Sequence, residues 1–241
     1  MQKKVTALVL FALLACMIPT AAMALSPYSE DFEGLNNADT GALAGAGWLV
    51  FANVFSPDGT VYYYGYGVFG APNDGAAFSA VAVGVGGGGQ GAQQLSAFSD
   101  YNNTDHGLGN RIEANVFQEY TVGPGDVGET WTFEFDAKLG NLEGATTAVA
   151  FIKTLDPNNG YATTNFITQN MTAIPTSWGT YMISILIDGS LPGQLLQIGF
   201  SNTASNYEGS GVYYDNINFY ISGGVVATES ATFGDVKSLF R

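Results

Sequence analysis

The sequence advances in steps of two. From Trp131 to Lys138, the side chains of Trp131, Phe133, Phe135 and Ala137 alternate with those of Thr132, Glu134, Asp136 and Lys138. A strand is the conformation that sends successive side chains to opposite faces. The stretch Gly211–Tyr220 repeats the pattern, with Val212, Tyr214, Asn216 and Asn218 on one predicted face and Tyr213, Asp215, Ile217 and Phe219 on the other. Gly-rich turns bound it at 208–211 and 222–224. Comparable runs occur at 28–34, 47–55, 61–69, 78–85, 90–98, 111–122, 146–153, 161–168, 178–187 and 195–201. Turn signals such as Ser56-Pro57-Asp58-Gly59 and Asp156-Pro157-Asn158-Asn159-Gly160 separate them. Before residue 225 no helical period interrupts the series, so the chain must close strand layers around one core.

The opening residues set the compartment. Lys3 and Lys4 precede an apolar run from Val5 to Ile18 and an Ala22-Met23-Ala24 site, the pattern of a secretory signal peptide rather than a membrane span. A secreted or cell-surface location is expected. The alternative, a lipoprotein anchor at Cys16, fits less well because Leu14 suits that box poorly and the apolar run continues beyond the cysteine. Cleavage after Ala24 leaves 217 residues without cysteine, enough for one large β-sandwich held by its core, by metal, or by both. The predicted division is a leader at 1–24, one domain at 25–222 and a tail at 223–241. In the tail, Thr232 can cap a short helix carrying Phe233, Val236, Leu239 and Phe240 on one stripe. Docking on the sandwich, a free end, or a surface-attachment tag all suit it.

Without the leader, five basic residues (Arg111, Lys138, Lys153, Lys237 and Arg241) face 21 acidic ones, a formal charge of −16. That balance disfavours nucleic acid and anionic membrane surfaces as partners. It tolerates neutral ligands and divalent cations.

Five short motifs, in order, carry a resemblance. Phe32-Glu33-Gly34, Gly91-Ala92-Gln93-Gln94-Leu95, Trp131–Lys138, Trp178-Gly179-Thr180-Tyr181 and Tyr214-Asp215-Asn216-Ile217 resemble the strands of β-jelly-roll carbohydrate-binding modules of the xylan- and glucan-binding kind. Gln94 stands where that family carries Ser. The resemblance implies an all-β, two-sheet antiparallel jelly-roll β-sandwich of about 11 strands. It also implies a structural calcium shared by the first and last strands, with Glu33 and Asp215 as ligands and Asp31 as a further candidate. The residues themselves ask for relief at Asp215, since a carboxylate placed with Ile217 and Phe219 needs a cation, hydrogen-bond donors or an escape to the sheet edge. Calcium wants 6–8 oxygens, so main-chain carbonyls near Gln90-Gly91 would complete the shell.

Carbohydrate recognition uses aromatic faces with amides beside them. The candidates are Tyr62, Tyr64 and Tyr66, expected on one face of a Gly-punctuated strand, and Tyr101 with Asn102 and Asn103; Tyr161 is a further loop aromatic. The expected partner is a polysaccharide or cell-surface glycan. A structural or adhesive surface protein is the alternative of a different class.

Catalysis finds less support. The one His, His106, lies among turn residues, and no Gly-x-Ser-x-Gly elbow is present. Glu134 and Asp136 resemble part of the Glu-x-Asp-x-Glu strand of jelly-roll glucanases, but Lys138 replaces the third carboxylate that hydrolysis with retention would need. A glycoside hydrolase is therefore the third alternative, and the expectation is a protein without enzymatic activity. The glycine run 86–89 opens no helix and carries no Lys or Ser/Thr in register, so it reads as a loop rather than a phosphate cradle.

Overall fold

A computed structural model describes residues 24–101 and 103–222. The leader expected at 1–24 falls almost wholly outside these, as do Asn102 and the tail at 223–241.

Among the described residues, twelve strands form two antiparallel sheets, the architecture of a jelly-roll β-sandwich. The strands are β1 (Tyr28–Glu30), β2 (Leu49–Phe55), β3 (Tyr62–Gly70), β4 (Ser79–Val83), β5 (Gln93–Ala97), β6 (Arg111–Thr121), β7 (Thr130–Leu142), β8 (Thr147–Asp156), β9 (Ala162–Asn170), β10 (Gly179–Leu186), β11 (Leu195–Ala204) and β12 (Ser210–Ile221). Two single-turn helices, α1 (Ala42–Gly45) and α2 (Thr104–Gly107), sit in the connections. The first sheet runs β10-β7-β12-β5-β4, with β1 also on β12; the second runs β3-β2-β6-β11-β8-β9.

The period-2 runs form strands because each buries one face. Val50, Ala52 and Val54, Ile112, Ala114 and Val116, and Leu196, Ile198 and Phe200 line the inner side of the second sheet. They pack against Trp131, Phe133, Phe135 and Ala137 of β7. Phe200 stacks on Tyr214 at 3.5 Å between ring centroids and meets Phe133 and Phe135 at 5.5 and 5.2 Å. Burying each such ring contributes about 1.5–3 kcal/mol, so this aromatic cluster is the main adhesive between the layers.

Two strands depart from the sequence expectation. β1 ends at Glu30, because Phe32 takes a left-handed backbone (φ 60°) and turns inward, which leaves Asp31 and Glu33 in a turn. In β12 the alternation breaks at Asn216 (φ 47°), where a bulge shifts the register with β7 between Asp215 and Asn218. Val212 and Tyr214 point inward before the bulge, and Ile217 and Phe219 point inward after it. Asp215 therefore does not share a face with Ile217 and Phe219. It looks outward beside Asp136, its partner on β7.

Candidate functional site

The outer face of the second sheet carries a groove of about 610 Å³ that crosses the strands from β3 to the start of β9. Its floor includes Phe117 on β6, whose cross-strand row continues through Gly199 on β11 and Phe151 on β8, with both rings buried. Gly199 lets the floor close: a Cβ there would lie 2.7 Å from the Phe117 Cβ. Gly65 does the same for Phe51, whose Cζ would meet an added Cβ at 2.5 Å. Beside the floor runs a second row, Glu119, Gln197, Lys153 and Phe166, one residue from each of four adjacent strands. Tyr161 (61% exposed) and Phe166 (54% exposed) stand at the β9 side.

Amide–carboxylate pairs hold the polar groups in place. Gln197 Nε2 donates to Glu119 Oε2 at 2.7 Å, and Asn53 Nδ2 and Asn115 Nδ2 donate to Glu113 Oε1 at 2.9 and 3.2 Å. Lys153 Nζ lies 4.9 Å from the Phe151 ring centroid and 5.8 Å from that of Phe166. Burial lowers its pKa, against the pull of Glu113 and Glu119. The groove thus combines open aromatic faces with fixed donors and acceptors.

Of the aromatics singled out from the sequence, Tyr161 lines the groove, whereas Tyr62, Tyr64, Tyr66 and Tyr101 lie elsewhere. A bulge at the end of the β2–β3 pairing sets Tyr62 opposite Phe55 but Tyr64 opposite Val54, so Tyr62 does not share a face with Tyr64 and Tyr66. Tyr62 packs edge-on against Phe55 at 5.7 Å. Tyr64 donates its hydroxyl to Asp105, and Tyr66 donates to Asp100 at 2.8 Å and meets the Phe78 ring. Tyr101 stacks on Phe98 at 5.4 Å and bonds Ser210, a packing arrangement. Asn102 lies outside the described residues. No local signal marks the groove, because β2, β6, β11, β8 and β9 each give it only one or two outward residues.

The three acidic candidates do not converge on one point. Asp215 is fully buried: its Oδ1 accepts the Asn216 N–H at 2.6 Å, while Oδ2 has no partner. Desolvation pushes this carboxyl up to about 7, reinforced by the charges of Asp136 and Asp31. Gln94 faces it, one step beyond the Tyr214–Leu95 pair, and its buried Oε1 is likewise without a partner. Glu33 Oε1 accepts the N–H groups of Ala92 and Gln93, each at 2.7 Å, and Asp31 Oδ1 accepts the Glu33 N–H. Among the described residues no three His, Cys, Asp or Glu side chains group around a metal position. The Gln94 side chain lies close enough to Asp215 to lower its pKa somewhat, yet both buried oxygens stay without a partner at bonding distance, a situation that a hard cation shelled mostly by amide and main-chain oxygens would relieve.

The candidate catalytic pair is structural in its contacts. Asp136 accepts from Asn216 and Gln90, each at 2.8 Å, and from Thr180 at 2.6 Å. Partial burial opposes its charge, but the three donors outweigh it and hold the carboxyl below its ordinary value. Glu134 accepts the Tyr220 hydroxyl at 3.1 Å. Lys138 turns away from Asp136, donating to the Val85 carbonyl and lying over the Trp178 and Tyr213 rings at 5.2 and 5.5 Å. His106 is buried: its ring bonds Ser99 Oγ at 3.0 Å and accepts the Tyr207 N–H at 3.0 Å. No described helix is long and apolar enough to cross a membrane.

No protein-family model matches the chain, and no curated protein matches it. Solved structures do resemble it, and they are mainly carbohydrate-binding modules. The C-terminal family 22 carbohydrate-binding module of Clostridium thermocellum Xyn10B is 16% identical, with a TM-score of 0.41 over 83% of this chain and 94% of that one. A family 16 carbohydrate-binding module is 13% identical, with a TM-score of 0.39 over 61% and 88%. The enzymatically active domain of bacteriophage CBA120 tailspike protein 4 is 15% identical, with a TM-score of 0.44 over 78% of this chain. This chain spans 22% of that one.

Proposed function

We propose that this chain is a non-catalytic, secreted carbohydrate-binding domain that takes a neutral polysaccharide along the groove of the second sheet, and that a structural calcium sits at Asp215. The observation that carries the reading is the pairing of exposed aromatic faces, Tyr161 in the groove and Phe166 beside Lys153 at its edge, with the fixed polar groups Asn53, Glu119 and Gln197 on one surface. Sugars offer exactly two handles, apolar ring faces and hydroxyls, and this surface has a counterpart for each. A mature charge of −16 disfavours polyanions. For calcium, the support is the unpartnered Asp215 Oδ2 and Gln94 Oε1. Non-catalysis is supported by Asp136, which three hydrogen bonds occupy, and by Lys138 in place of a third carboxylate.

Affinity electrophoresis through gels containing xylan, mixed-linkage β-glucan, galactan or hydroxyethylcellulose tests the proposal. Retardation by at least one neutral polymer is expected. Unretarded migration in all of them overturns it.

A second reading, assembly through an edge, is favoured by β3. Nine residues of edge strand leave Tyr62, Tyr63, Val68 and Phe69 exposed, the kind of margin that pairs with another chain. Concentration-dependent sedimentation separates the two.

A further inference from the structure

Resting on the groove as the glycan site, we propose that Glu119 and Lys153 together read hydroxyl groups of a neutral sugar, so that this row refuses carboxylate- and sulfate-bearing sugars. Gln197 is the cross-strand partner of Glu119 on one side and of Lys153 on the other. The two charged residues are thus two strands apart, about 10 Å between backbones, on the same face. Gln197 fills the space between them and fixes the Glu119 carboxylate through its 2.7 Å bond. Lys153 has no such restraint. Among the described residues its ammonium touches only the Phe151 and Phe166 rings, and no protein acceptor takes its N–H groups.

An ammonium with three free donors and a carboxylate with spare lone pairs, both facing one groove, ask for a ligand that accepts at one end and donates at the other. Hydroxyls do both. A vicinal diol lying across Gln197 accepts from Lys153 with one oxygen and donates to Glu119 with the other. A carboxylate or sulfate only accepts: it satisfies Lys153 but meets Glu113 and Glu119, both of whose charges reach Lys153, as like charges. The sugar ring is positioned for this by the exposed rings of Phe166, the β9 partner of Lys153, and Tyr161.

The test measures retention of wild type, Glu119→Gln, Lys153→Met, Tyr161→Ala and Phe166→Ala on xylan, hydroxyethylcellulose and polygalacturonate, with thermal melts to confirm folding. Lys153→Met keeps the apolar stem between the two rings. Wild type should prefer a neutral polymer over polygalacturonate. Lys153→Met should weaken neutral-polymer retention by about 10- to 100-fold, the worth of a charge-assisted hydrogen bond. Glu119→Gln should weaken it too and shrink the discrimination against polygalacturonate. Wild-type retention on neutral polymer that both variants preserve within about twofold overturns the hydroxyl reader while the groove stands. A wild-type preference for polygalacturonate that Lys153→Met abolishes also overturns it, making Lys153 a carboxylate site. Absence of wild-type retention, or retention indifferent to Tyr161→Ala and Phe166→Ala, overturns the groove itself.

Discussion

Asp136 and Asp215 stand opposite each other in the β7–β12 ladder, yet their surroundings differ sharply. Asp136 has three side-chain donors, whereas Asp215 has one main-chain N–H, the nearby Gln94 side chain, and a buried Oδ2 without a partner at bonding distance. Like charges facing each other across a ladder are destabilising. A cation at Asp215 would remove that penalty and supply the missing partner. Binding at 100-fold over Kd would stabilise by about 2.7 kcal/mol, a melting shift of roughly 5–10 °C in a domain of this size. Excess chelator should therefore lower the melting temperature by that order, and Asp215→Asn should melt alike with and without calcium. Identical wild-type curves in calcium and in chelator would remove the ion from the account.

In the groove, truncation should separate binding from folding. Tyr161 and Phe166 are exposed, so Tyr161→Ala and Phe166→Ala should each weaken polysaccharide retention about tenfold, as loss of an exposed stacking face does, with melting temperature nearly unchanged. Tyr64→Ala is the contrast. Its ring packs against Tyr66 and its hydroxyl serves Asp105, so melting should fall while retention holds. The reverse result would return the binding surface to β3.

Asp136 organises the glycine-rich loop through Gln90 and Asn216, and Asn216 also donates to the Gly89 carbonyl at 2.8 Å. Asp136→Ala should destabilise by about 1–3 kcal/mol, through partners left unpaired. No reducing sugar should be released from any glycan by wild type or by Glu134→Gln. Release by wild type that Glu134→Gln abolishes would establish a hydrolase.

His106 links acidity to stability. Its Nδ1 accepts the Tyr207 N–H, which assigns the ring proton to Nε2. Burial lowers its pKa, against the raising influence of Asp100, Asp105 and Glu208. Below its ordinary value of about 6.5 the unfolded chain takes up the proton more readily than the folded one. The stability contributed is present above that pH and lost as pH falls through it. Asp215, raised to about 7, titrates with the opposite sign in this range, so the comparison is made in an Asp215→Asn background: melting temperature should decline there from pH 7.5 to 5.5, and adding His106→Gln should flatten that slope. An equal slope in the variant would place the titration elsewhere.

The sheets were legible wherever one face is apolar and the other polar. Trp131–Lys138 reads correctly because all four of its apolar residues enter the core. Twelve strands answer to about 11 expected from those runs. Register shifts were not legible. The bulge at Asn216 turns Asp215 outward, and the one near Tyr63 divides Tyr62 from Tyr64; each is set by pairing with a distant strand. The groove escaped for a related reason. Phe117, Gly199 and Phe151 adjoin only through the β6-β11-β8 order, which no local pattern records.

β12 is the last described strand in sequence and yet occupies the middle of its sheet, with β7 on one side and β5 and β1 on the other. A chain emerging from its N-terminus cannot complete that layer until residues 210–221 arrive. A chain stopped before Ser210 would own only a β10–β7 pair, a β4–β5 pair and a stray β1, and two-stranded pieces are marginal in water. This layer therefore cannot form until β12 has been made. A premature stop anywhere upstream forfeits the whole layer rather than trimming its margin.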